Sequence, residues 1–280
     1  MPLSVQKFQQ EILAWHKEHG RDALPWRRTK DPYKILVSEV MLQQTQVDRV
    51  VPKYRSFLKK FPDAKKLANA SVADVLKEWK GLGYNRRALH LKRAAEMIEK
   101  EFKGKFPKSV EDIEKFPGVG KYTARAIATF AWNEPHIFIE TNIRRIFIHF
   151  FFKKTESVHD NDIVPYVKKT LYAKNPRLWY SALMDYGSGN FKQVKNPNRK
   201  SRHYMKQSKF EGSSRAARSH ILQHILYKER VTFDDMAKFF ANDPEMGEYG
   251  TPEGIKEILE AMKKEGLVYE RDGRWQISPL

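Results

Sequence analysis

The stretch that decides the fold is a glycine-containing turn that leads into a helical pattern: Phe116-Pro117-Gly118-Val119-Gly120-Lys121-Tyr122-Thr123-Ala124-Arg125-Ala126-Ile127. Two glycines one residue apart, between two helical patterns, predict a hairpin that joins two helices. Gly118 and Gly120 can adopt backbone angles closed to other residues, and neither places a side chain between the main chain and a ligand. The N–H groups at the start of the next helix then face outward, where a phosphate can bind them. The stretch therefore predicts a phosphate-binding hairpin.

A single acid follows at the next predicted helix start, in the sequence Ile139-Glu140-Thr141-Asn142-Ile143-Arg144-Arg145. Apolar residues precede Glu140 in the sequence, and a predicted basic helix follows it. A carboxylate with such neighbours could be a catalytic group. An acid at a helix N-terminus can also serve only to stabilise the helix dipole, so the residue has two interpretations at this point.

The charge balance of the chain indicates a polyanionic partner. The 280 residues contain 52 Lys and Arg against 34 Asp and Glu, which gives a formal net charge of +18. Such an excess favours nucleic acid as the partner, although a lysine-rich soluble surface would carry the same charge. The sequence contains no cysteine, which excludes disulfides and any zinc or iron–sulfur site that thiolates ligate.

The length and hydropathy of the chain predict a soluble protein. There is room for about two domains with a sizeable core. The first ten residues lack the apolar centre of a signal peptide, and no apolar run approaches the roughly 20 residues that cross a bilayer. We expect an intracellular, cytoplasmic protein that associates with the nucleoid and acts as a monomer.

Helical periodicity dominates the sequence up to about residue 190. The spacing of apolar residues predicts a helix over Val5 to His19 and another from about Pro32 through Val47, and the alternation typical of strands is nearly absent. From Lys192 to Arg218 the composition becomes strongly basic and irregular. That segment predicts either a linker that contacts nucleic-acid backbone or a solvated loop. The expected fold class is mainly α.

Residues 213–280 show a different pattern. Three helical segments are followed by two short alternating segments on either side of Asp272-Gly273, which is the strongest short signal for a β-hairpin. Three helices and a terminal hairpin resemble a winged-helix domain. Because winged helices can bind either DNA or other proteins, the fold does not decide the ligand.

Taken in order, several motifs resemble those of the helix-hairpin-helix DNA glycosylases, the superfamily of endonuclease III and MutY, and those of the MutY branch in particular. The resemblance covers about Phe8 to Gly189. Its motifs are Leu24-Pro25-Trp26-Arg27, Asp31-Pro32-Tyr33, Ser38-Glu39-Val40-Met41-Leu42-Gln43-Gln44-Thr45-Gln46-Val47, Gly81-Leu82-Gly83-Tyr84, Pro117-Gly118-Val119-Gly120, Asn142 and Met184-Asp185-Tyr186-Gly187.

The resemblance implies a two-lobed, all-helical glycosylase core followed by a winged-helix-like domain. Most relatives hold an iron–sulfur cluster with four cysteines after the last motif, and many MutY proteins end in a domain that reads 8-oxoguanine. Here a basic linker and the winged-helix-like tail stand in those places. The expected domains are the core at 1–190 (31–139 as inner lobe, 1–30 and 140–190 as second lobe), the linker at 191–212 and the tail at 213–280.

The resemblance also implies the chemistry of adenine excision. Cleavage of a purine N-glycosidic bond needs one acid that protonates the base and one ionised carboxylate that stabilises the sugar cation. Glu39 lies among apolar residues, where burial raises a carboxyl pKa, and it corresponds to the acid. Glu140 corresponds to the second carboxylate, and Asn142 to a residue that hydrogen-bonds near it. Relatives normally have aspartate at this second position, so Glu140 is the main departure from their pattern.

Tyr122 occupies the position at which glycosylase/lyase members carry a Schiff-base lysine. Because tyrosine cannot form an imine, the resemblance implies a monofunctional glycosylase, with Lys121 as a phosphate contact. No catalytic metal or cofactor is expected, although the hairpin carbonyls of Gly118, Val119 and Gly120 could hold a sodium or potassium ion beside a phosphate.

The remaining site predictions concern the partner, double-stranded DNA with a mispaired or damaged base. Gln43 and Gln44 correspond to residues near the flipped base and the opposite strand, and Tyr84 corresponds to an aromatic wedge beside the damaged pair; on its own it could also be a core tyrosine. Further candidate phosphate contacts, some of which could belong to ordinary solvated faces, are Arg86, Arg87, Arg144, Arg145, Arg199 and Lys200.

Two other functions stay open beside the excision of adenine opposite 8-oxoguanine or guanine. The chain could excise a different base, such as uracil or thymine opposite guanine, or hypoxanthine. It could also bind DNA lesions or act in regulation without catalysis, with Glu140 marking the loss of activity.

Overall fold

The computed structural model describes residues 4–191, 195–205 and 209–279, and helices dominate it. None of the helices within these ranges is long and apolar enough to cross a membrane. The helices are α1 (Val5–His19), α2 (Pro32–Leu42), α3 (Val47–Lys60), α4 (Ala64–Ala68), α5 (Val72–Trp79), α6 (Arg86–Glu101), α7 (Val110–Glu114), α8 (Lys121–Trp132), α9 (Thr141–Phe151), α10 (Asp160–Thr170), α11 (Pro176–Gly189), α12 (Ser214–Lys228), α13 (Phe233–Phe240) and α14 (Pro252–Lys264).

The chain divides into two compact units, each assembled from segments that are distant in sequence. The first unit contains Met1–Glu39, Phe106–Lys115 and Val119–Lys206, and the second contains Val40–Lys105, Phe116–Gly118 and Gln207–Leu280. The domain boundaries expected at residues 190 and 212 stay predictions.

The core of the first unit is aromatic and fixes the helix that follows Glu140. Phe8 of α1 lies with its ring centroid 5.5 Å from that of Phe147 on α9 and 5.8 Å from that of Trp179 on α11. All three side chains are fully buried. Burial of one such ring stabilises a fold by about 1.5–3 kcal/mol, so the position of α9 is set by packing that involves both ends of this unit's sequence.

Helix α2 ends earlier than the periodicity predicts. The predicted helix continued through Val47, whereas α2 ends at Leu42 and Gln44 has a positive φ of 56°. The guanidinium of Arg87 explains the difference, because it is buried and donates hydrogen bonds to the carbonyls of Val40 and Met41 at 2.8 and 3.0 Å. A cation from a distant helix thus satisfies carbonyls at the C-terminus of α2 that a continued helix would use internally.

The C-terminal segment has the elements expected of a winged-helix-like domain. Strands β2 (Val268–Arg271) and β3 (Arg274–Ile277) pair antiparallel, and β3 also pairs with a short strand β1 (Val231–Thr232). Asp272 and Gly273 both have positive φ, 52° and 69°, as a type I′ hairpin turn requires. The hairpin prediction is confirmed; β1 was not predicted.

Part of the predicted basic linker lies along α9 within the first unit. Asn198 is 3% exposed and its amide donates to the carbonyl of Thr141 at 2.9 Å. At the other end of α9, Nζ of Lys200 donates to the carbonyl of Lys153 at 2.7 Å. These two contacts tie the segment around Pro197–Lys200, a short 3-10 turn, to both ends of α9. Residues 192–194 and 206–208 of the predicted linker lie outside the described residues.

Candidate active site

Glu39 lies on α2 and is almost completely buried, with 9% of its surface exposed. It follows the fully buried Val37 and the nearly buried Ser38, so its carboxyl is on a helix with little access to water. The hydroxyl of Tyr122, on α8, donates a hydrogen bond to Oε2 of Glu39 at 3.1 Å. Two residues 83 positions apart in the sequence are thus in direct contact.

The pKa of Glu39 is raised to about 7, mainly by burial, and the nearby charge of Glu140 contributes to this increase. The Tyr122 hydrogen bond and the charge of Arg27 lower the pKa and so limit the increase. A carboxyl with this pKa is protonated in a large fraction of molecules near neutral pH, as a general acid must be. Arg27 belongs to the motif Leu24-Pro25-Trp26-Arg27, but it was not itself predicted as a site residue.

Glu140 is the N-cap residue of α9, and its carboxylate turns back onto its own helix. Its Oε1 accepts hydrogen bonds from the backbone N–H of Asn142 at 2.7 Å and of Ile143 at 2.8 Å. Its Oε2 accepts a hydrogen bond from Nδ2 of Asn142 at 3.3 Å. The Glu140 side chain, although one methylene longer than aspartate, therefore caps the first turn of α9 as the usual, shorter N-cap residues do.

Burial raises the pKa of Glu140, but several groups hold the increase down. The N–H donors of Asn142 and Ile143 and the charges of Arg144 and Arg145 all favour the ionised carboxylate. Glu39, by contrast, has one hydroxyl donor and a nearby carboxylate. The two acids thus lie in different environments. The surroundings of Glu39 favour its protonated form, whereas the donors and cations around Glu140 favour its ionised form.

The glycine hairpin has one glycine whose backbone requires it. Gly118 has φ of +76°, and a Cβ at this position would lie 2.6 Å from the ring of His90. Gly120 has φ of −104°, which any residue can adopt, and it is the N-cap of α8, where it has no side chain that could cap the helix. Lys121, the first residue of α8, is exposed, and Val119 is buried.

The residues predicted to contact the flipped base and the opposite strand lie together in the second unit. Nε2 of Gln43 donates to the carbonyl of Gly118 at 3.3 Å, and Gln44 is exposed. Tyr84 has a positive φ of 49°. Its hydroxyl accepts a hydrogen bond from Nη1 of Arg215 at 3.0 Å. Arg215 lies within the basic stretch from Lys192 to Arg218 but was not predicted at this site, because nothing in the sequence links it to Tyr84.

Several predicted phosphate contacts already have partners inside the protein. The buried Arg87 donates to main-chain carbonyls, and Arg144 forms a two-point ion pair with Asp160, at 2.6 and 2.7 Å. Arg145 donates to the carbonyl of Gly187 at 2.7 Å, and Lys200 binds the end of α9. These four side chains therefore contribute to the fold, and their contacts with phosphate stay predictions. Arg86 and Arg199 are exposed and stay candidate DNA contacts.

In the part of the chain that the structure describes, no three His, Asp or Glu side chains come together in an arrangement that could hold a metal ion. The sodium or potassium ion at the hairpin stays a prediction.

Residues 37–163 match the model of the HhH-GPD superfamily base excision DNA repair protein family. A curated relative, the adenine DNA glycosylase of Buchnera aphidicola subsp. Baizongia pistaciae (strain Bp), is 40% identical over 165 residues, which are 59% of this chain and 45% of that protein. The chain thus spans less than half the length of this relative.

Two solved structures share the fold. A thermostable thymine-DNA glycosylase has a TM-score of 0.62 and 27% identity, with 66% of this chain and 86% of that chain covered. Endonuclease III in a non-covalent complex with DNA has a TM-score of 0.58 and 16% identity, with 69% and 90% covered. At 16% identity, the similarity to endonuclease III shows a shared fold and nothing more. The helical fold, the family match and the relatives agree: residues 37–163 of this chain are similar to the HhH-GPD superfamily of base excision DNA repair proteins.

Proposed function

We propose that the chain is a DNA glycosylase that hydrolyses the N-glycosidic bond of adenine mispaired with 8-oxoguanine or guanine, and that it does so without a lyase step. The observation that carries the proposal is the pair of acids in contrasting environments, Glu39 with a pKa of about 7 and Glu140 held by the start of α9. The adenine DNA glycosylase of Buchnera aphidicola, 40% identical to this chain, supports adenine as the base.

The geometry suggests how the residues would divide the reaction. Glu39 in its protonated form would donate its proton to a ring nitrogen of adenine, which makes the base a neutral leaving group as the bond to C1′ breaks. The ionised Glu140 would stabilise the positive charge that develops on the sugar. Water would then add to C1′ and lose a proton, and the products would be free adenine and an abasic site.

Tyr122 would act on the acid rather than on the sugar. Its hydroxyl donates to Glu39 at 3.1 Å, which orients the carboxyl and limits the increase in its pKa. A tyrosine here cannot form an imine with the abasic sugar, and Lys121 beside it is exposed at the start of α8. These features support a monofunctional enzyme on double-stranded DNA.

A thymine-specific activity is the second candidate, and one observation favours it. The thermostable thymine-DNA glycosylase of known structure is 27% identical in sequence to this chain, and the match covers 86% of that glycosylase. The adenine relative is more similar in sequence, 40% identical over 165 residues, so we place adenine first.

A panel of duplexes separates these candidates. Adenine, thymine, uracil or hypoxanthine would each be paired with guanine and with 8-oxoguanine, and the released base would be identified by chromatography. The proposal expects release of adenine from both mispairs and none of the other bases at comparable rates. Release of thymine or uracil with adenine left in place would contradict it, and binding without release of any base would favour a non-catalytic protein.

A further inference from the structure

The C-terminal segment, residues 213–279, contacts residues of the second unit that are predicted to face DNA. A cavity of about 430 Å³ within this unit is lined by the residues after α2, by the turn before α6 and by the first half of α12. We call four of its lining residues the predicted DNA face: Gln43, Gln44, Tyr84 and Arg86. Part of the protein's own chain thus lies against the face on which a duplex is expected.

Helix α12 binds the aromatic residue of this face directly. Nη1 of Arg215 donates to the Tyr84 hydroxyl at 3.0 Å, and its guanidinium carbon lies 5.9 Å from the centroid of the Tyr84 ring. The guanidinium carbon of Arg87, on α6, lies 5.4 Å from the same centroid. Two cations, one from α12 and one from α6, therefore hold the Tyr84 side chain against the protein.

The end of α14 provides a second contact between the C-terminal segment and α6. Gly266 has φ of +78°, and a Cβ at this position would lie 3.1 Å from Nη2 of Arg93, on α6. The preceding residue, Glu265, forms an ion pair with Arg218 of α12. This pair joins α12 to the end of α14, so the contacts at Tyr84 and at Arg93 belong to one connected surface.

Two residues of the predicted DNA face have an unusual backbone conformation. Gln44 has φ of 56° and Tyr84 has φ of 49°. A positive φ is uncommon for residues other than glycine, and for a bulky residue it is an outlier. Such conformations persist only where the surrounding structure holds them, and they are frequent at ligand clamps and switch regions. For Tyr84, the contact with α12 is part of the structure that holds it.

The charge of the C-terminal segment does not suit it to take over the DNA contact that it covers. Asp and Glu outnumber Lys and Arg in residues 213–280, although basic residues prevail in the whole chain. In a helix-turn-helix, the second helix is the one that enters the major groove, and here that helix is α14. Glu253, Glu257 and Glu260 are exposed along one side of α14. Carboxylates on that side repel the phosphates of a duplex.

We propose that the C-terminal segment is an autoinhibitory latch. In the closed form seen here, α12 covers the predicted DNA face, and a duplex reaches Gln43, Gln44 and Tyr84 only after Arg215 has left Tyr84. The inference rests on the proposed function in that the ligand is duplex DNA and that these residues contact it. The observed affinity for DNA is then the affinity of the open form multiplied by the fraction of molecules that are open.

The sign of one mutational effect tests the latch. Fluorescence anisotropy would give the affinity of the full chain for a duplex with a tetrahydrofuran abasic analogue, which has no base to release. Arg215→Ala should bind at least about threefold more tightly than the wild type, because more molecules are open, even though a cation is lost. Arg230→Ala removes the same charge from an exposed residue outside the cavity and should not bind more tightly. Weaker binding by Arg215→Ala would show a DNA contact and overturn the proposal.

A second pair of variants tests the latch from the other contact. Glu265→Gln breaks the ion pair with Arg218 and should increase the affinity for the same duplex more than Glu260→Gln does. Glu260 is exposed on α14 and controls for the loss of one negative charge. An equal increase in both variants would be an effect of charge alone and would contradict the latch. Thermal melting would verify that each variant is folded, and this pair decides the matter if Arg215→Ala is not.

The movement itself can be measured because the chain has no cysteine. Spin labels on Lys100→Cys of α6 and Glu257→Cys of α14, both exposed positions, would report the distance between the C-terminal segment and α6 by pulsed electron paramagnetic resonance. The distance distribution should shift when the duplex is saturating. Tight binding of the duplex with an unchanged distribution would contradict the latch alone. A shift on DNA without release of adenine from either mispair would contradict the proposed function alone.

Discussion

The hydroxyl of Tyr122 donates a hydrogen bond to Oε2 of Glu39 at 3.1 Å. This contact joins the first residues of the helix after the glycine hairpin to a buried acid on α2. In this arrangement, the residue that stands in place of a Schiff-base lysine binds the acid that would protonate the base. The proposed activity therefore depends on the protonation state of one carboxyl and on the groups that set its pKa.

The rate of base release should fall as the pH increases through about 7. In the proposed reaction Glu39 acts in its protonated form, and its pKa is raised to about 7, so deprotonation above that pH would remove the acid. Glu140 would act in its ionised form, and its pKa is also raised, so activity should decrease again in acid. Single-turnover rates from about pH 5 to about pH 9 would show both limbs. A rate that stays constant up to about pH 9 would be inconsistent with Glu39 as the acid.

Replacing Tyr122 by phenylalanine should move the alkaline limb to higher pH. The hydrogen bond from the hydroxyl lowers the pKa of Glu39, and a net contribution of about 1 kcal/mol corresponds to about one pH unit. The phenyl ring can keep its packing on Phe138, whose centroid lies 5.6 Å away. The same pH series, run on Tyr122→Phe, checks the shift. A limb that stays in place or moves to lower pH would contradict this role of the hydroxyl.

Substitutions of Glu140 should separate its charge from its role as N-cap. Glu140→Gln keeps an oxygen that can accept from the N–H groups of Asn142 and Ile143 but has no charge, so base release should fall by about 10²-fold or more with little change in melting temperature. Glu140→Asp keeps the charge and is a favoured N-cap residue, so we expect a rate within about tenfold of the wild type. Full activity of Glu140→Gln would show that the charge is not needed.

Substitutions of Lys200 and Arg199, which are adjacent in the sequence, should have opposite effects on stability and on DNA affinity. Lys200 binds the carbonyl of Lys153 at the end of α9, so Lys200→Ala should lower stability by about 1 kcal/mol and change DNA affinity little. Arg199 is exposed, so Arg199→Ala should weaken DNA binding without loss of stability. It should also reduce the slope of log affinity against log salt concentration by about one. Chemical denaturation and binding at several salt concentrations measure both effects. The reverse pattern would contradict the assignment of Lys200 to the fold.

The periodic parts of the fold were predictable because their signal is local. The helix predicted over Val5 to His19 has those bounds in the structure, and the hairpin at Asp272-Gly273 forms where two adjacent residues must have positive φ. The end of α2 was not predictable, because it depends on the guanidinium of Arg87 from another helix. The five residues of α4, Ala64–Ala68, are too short to show a helical period.

The site was predictable only as far as residue types and motif order allow. The resemblance to the helix-hairpin-helix glycosylases implies Glu39, Tyr122, Glu140 and Asn142 as a set, and in the structure Tyr122 contacts Glu39 and Asn142 contacts Glu140. A sequence pattern cannot show which cations are used inside the protein. The ion pair of Arg144 with Asp160 and the contact of Arg215 with Tyr84 both depend on tertiary structure.

The most direct test of the central claim is the single-turnover rate of adenine release by Glu39→Gln from a duplex that pairs adenine with 8-oxoguanine. Glutamine keeps the size of the side chain and an oxygen that can accept from Tyr122, but it cannot donate the proton. We predict a rate at least about 10²-fold below that of the wild type, with unchanged affinity for the same duplex. A rate equal to that of the wild type would contradict the assignment of Glu39 as the acid.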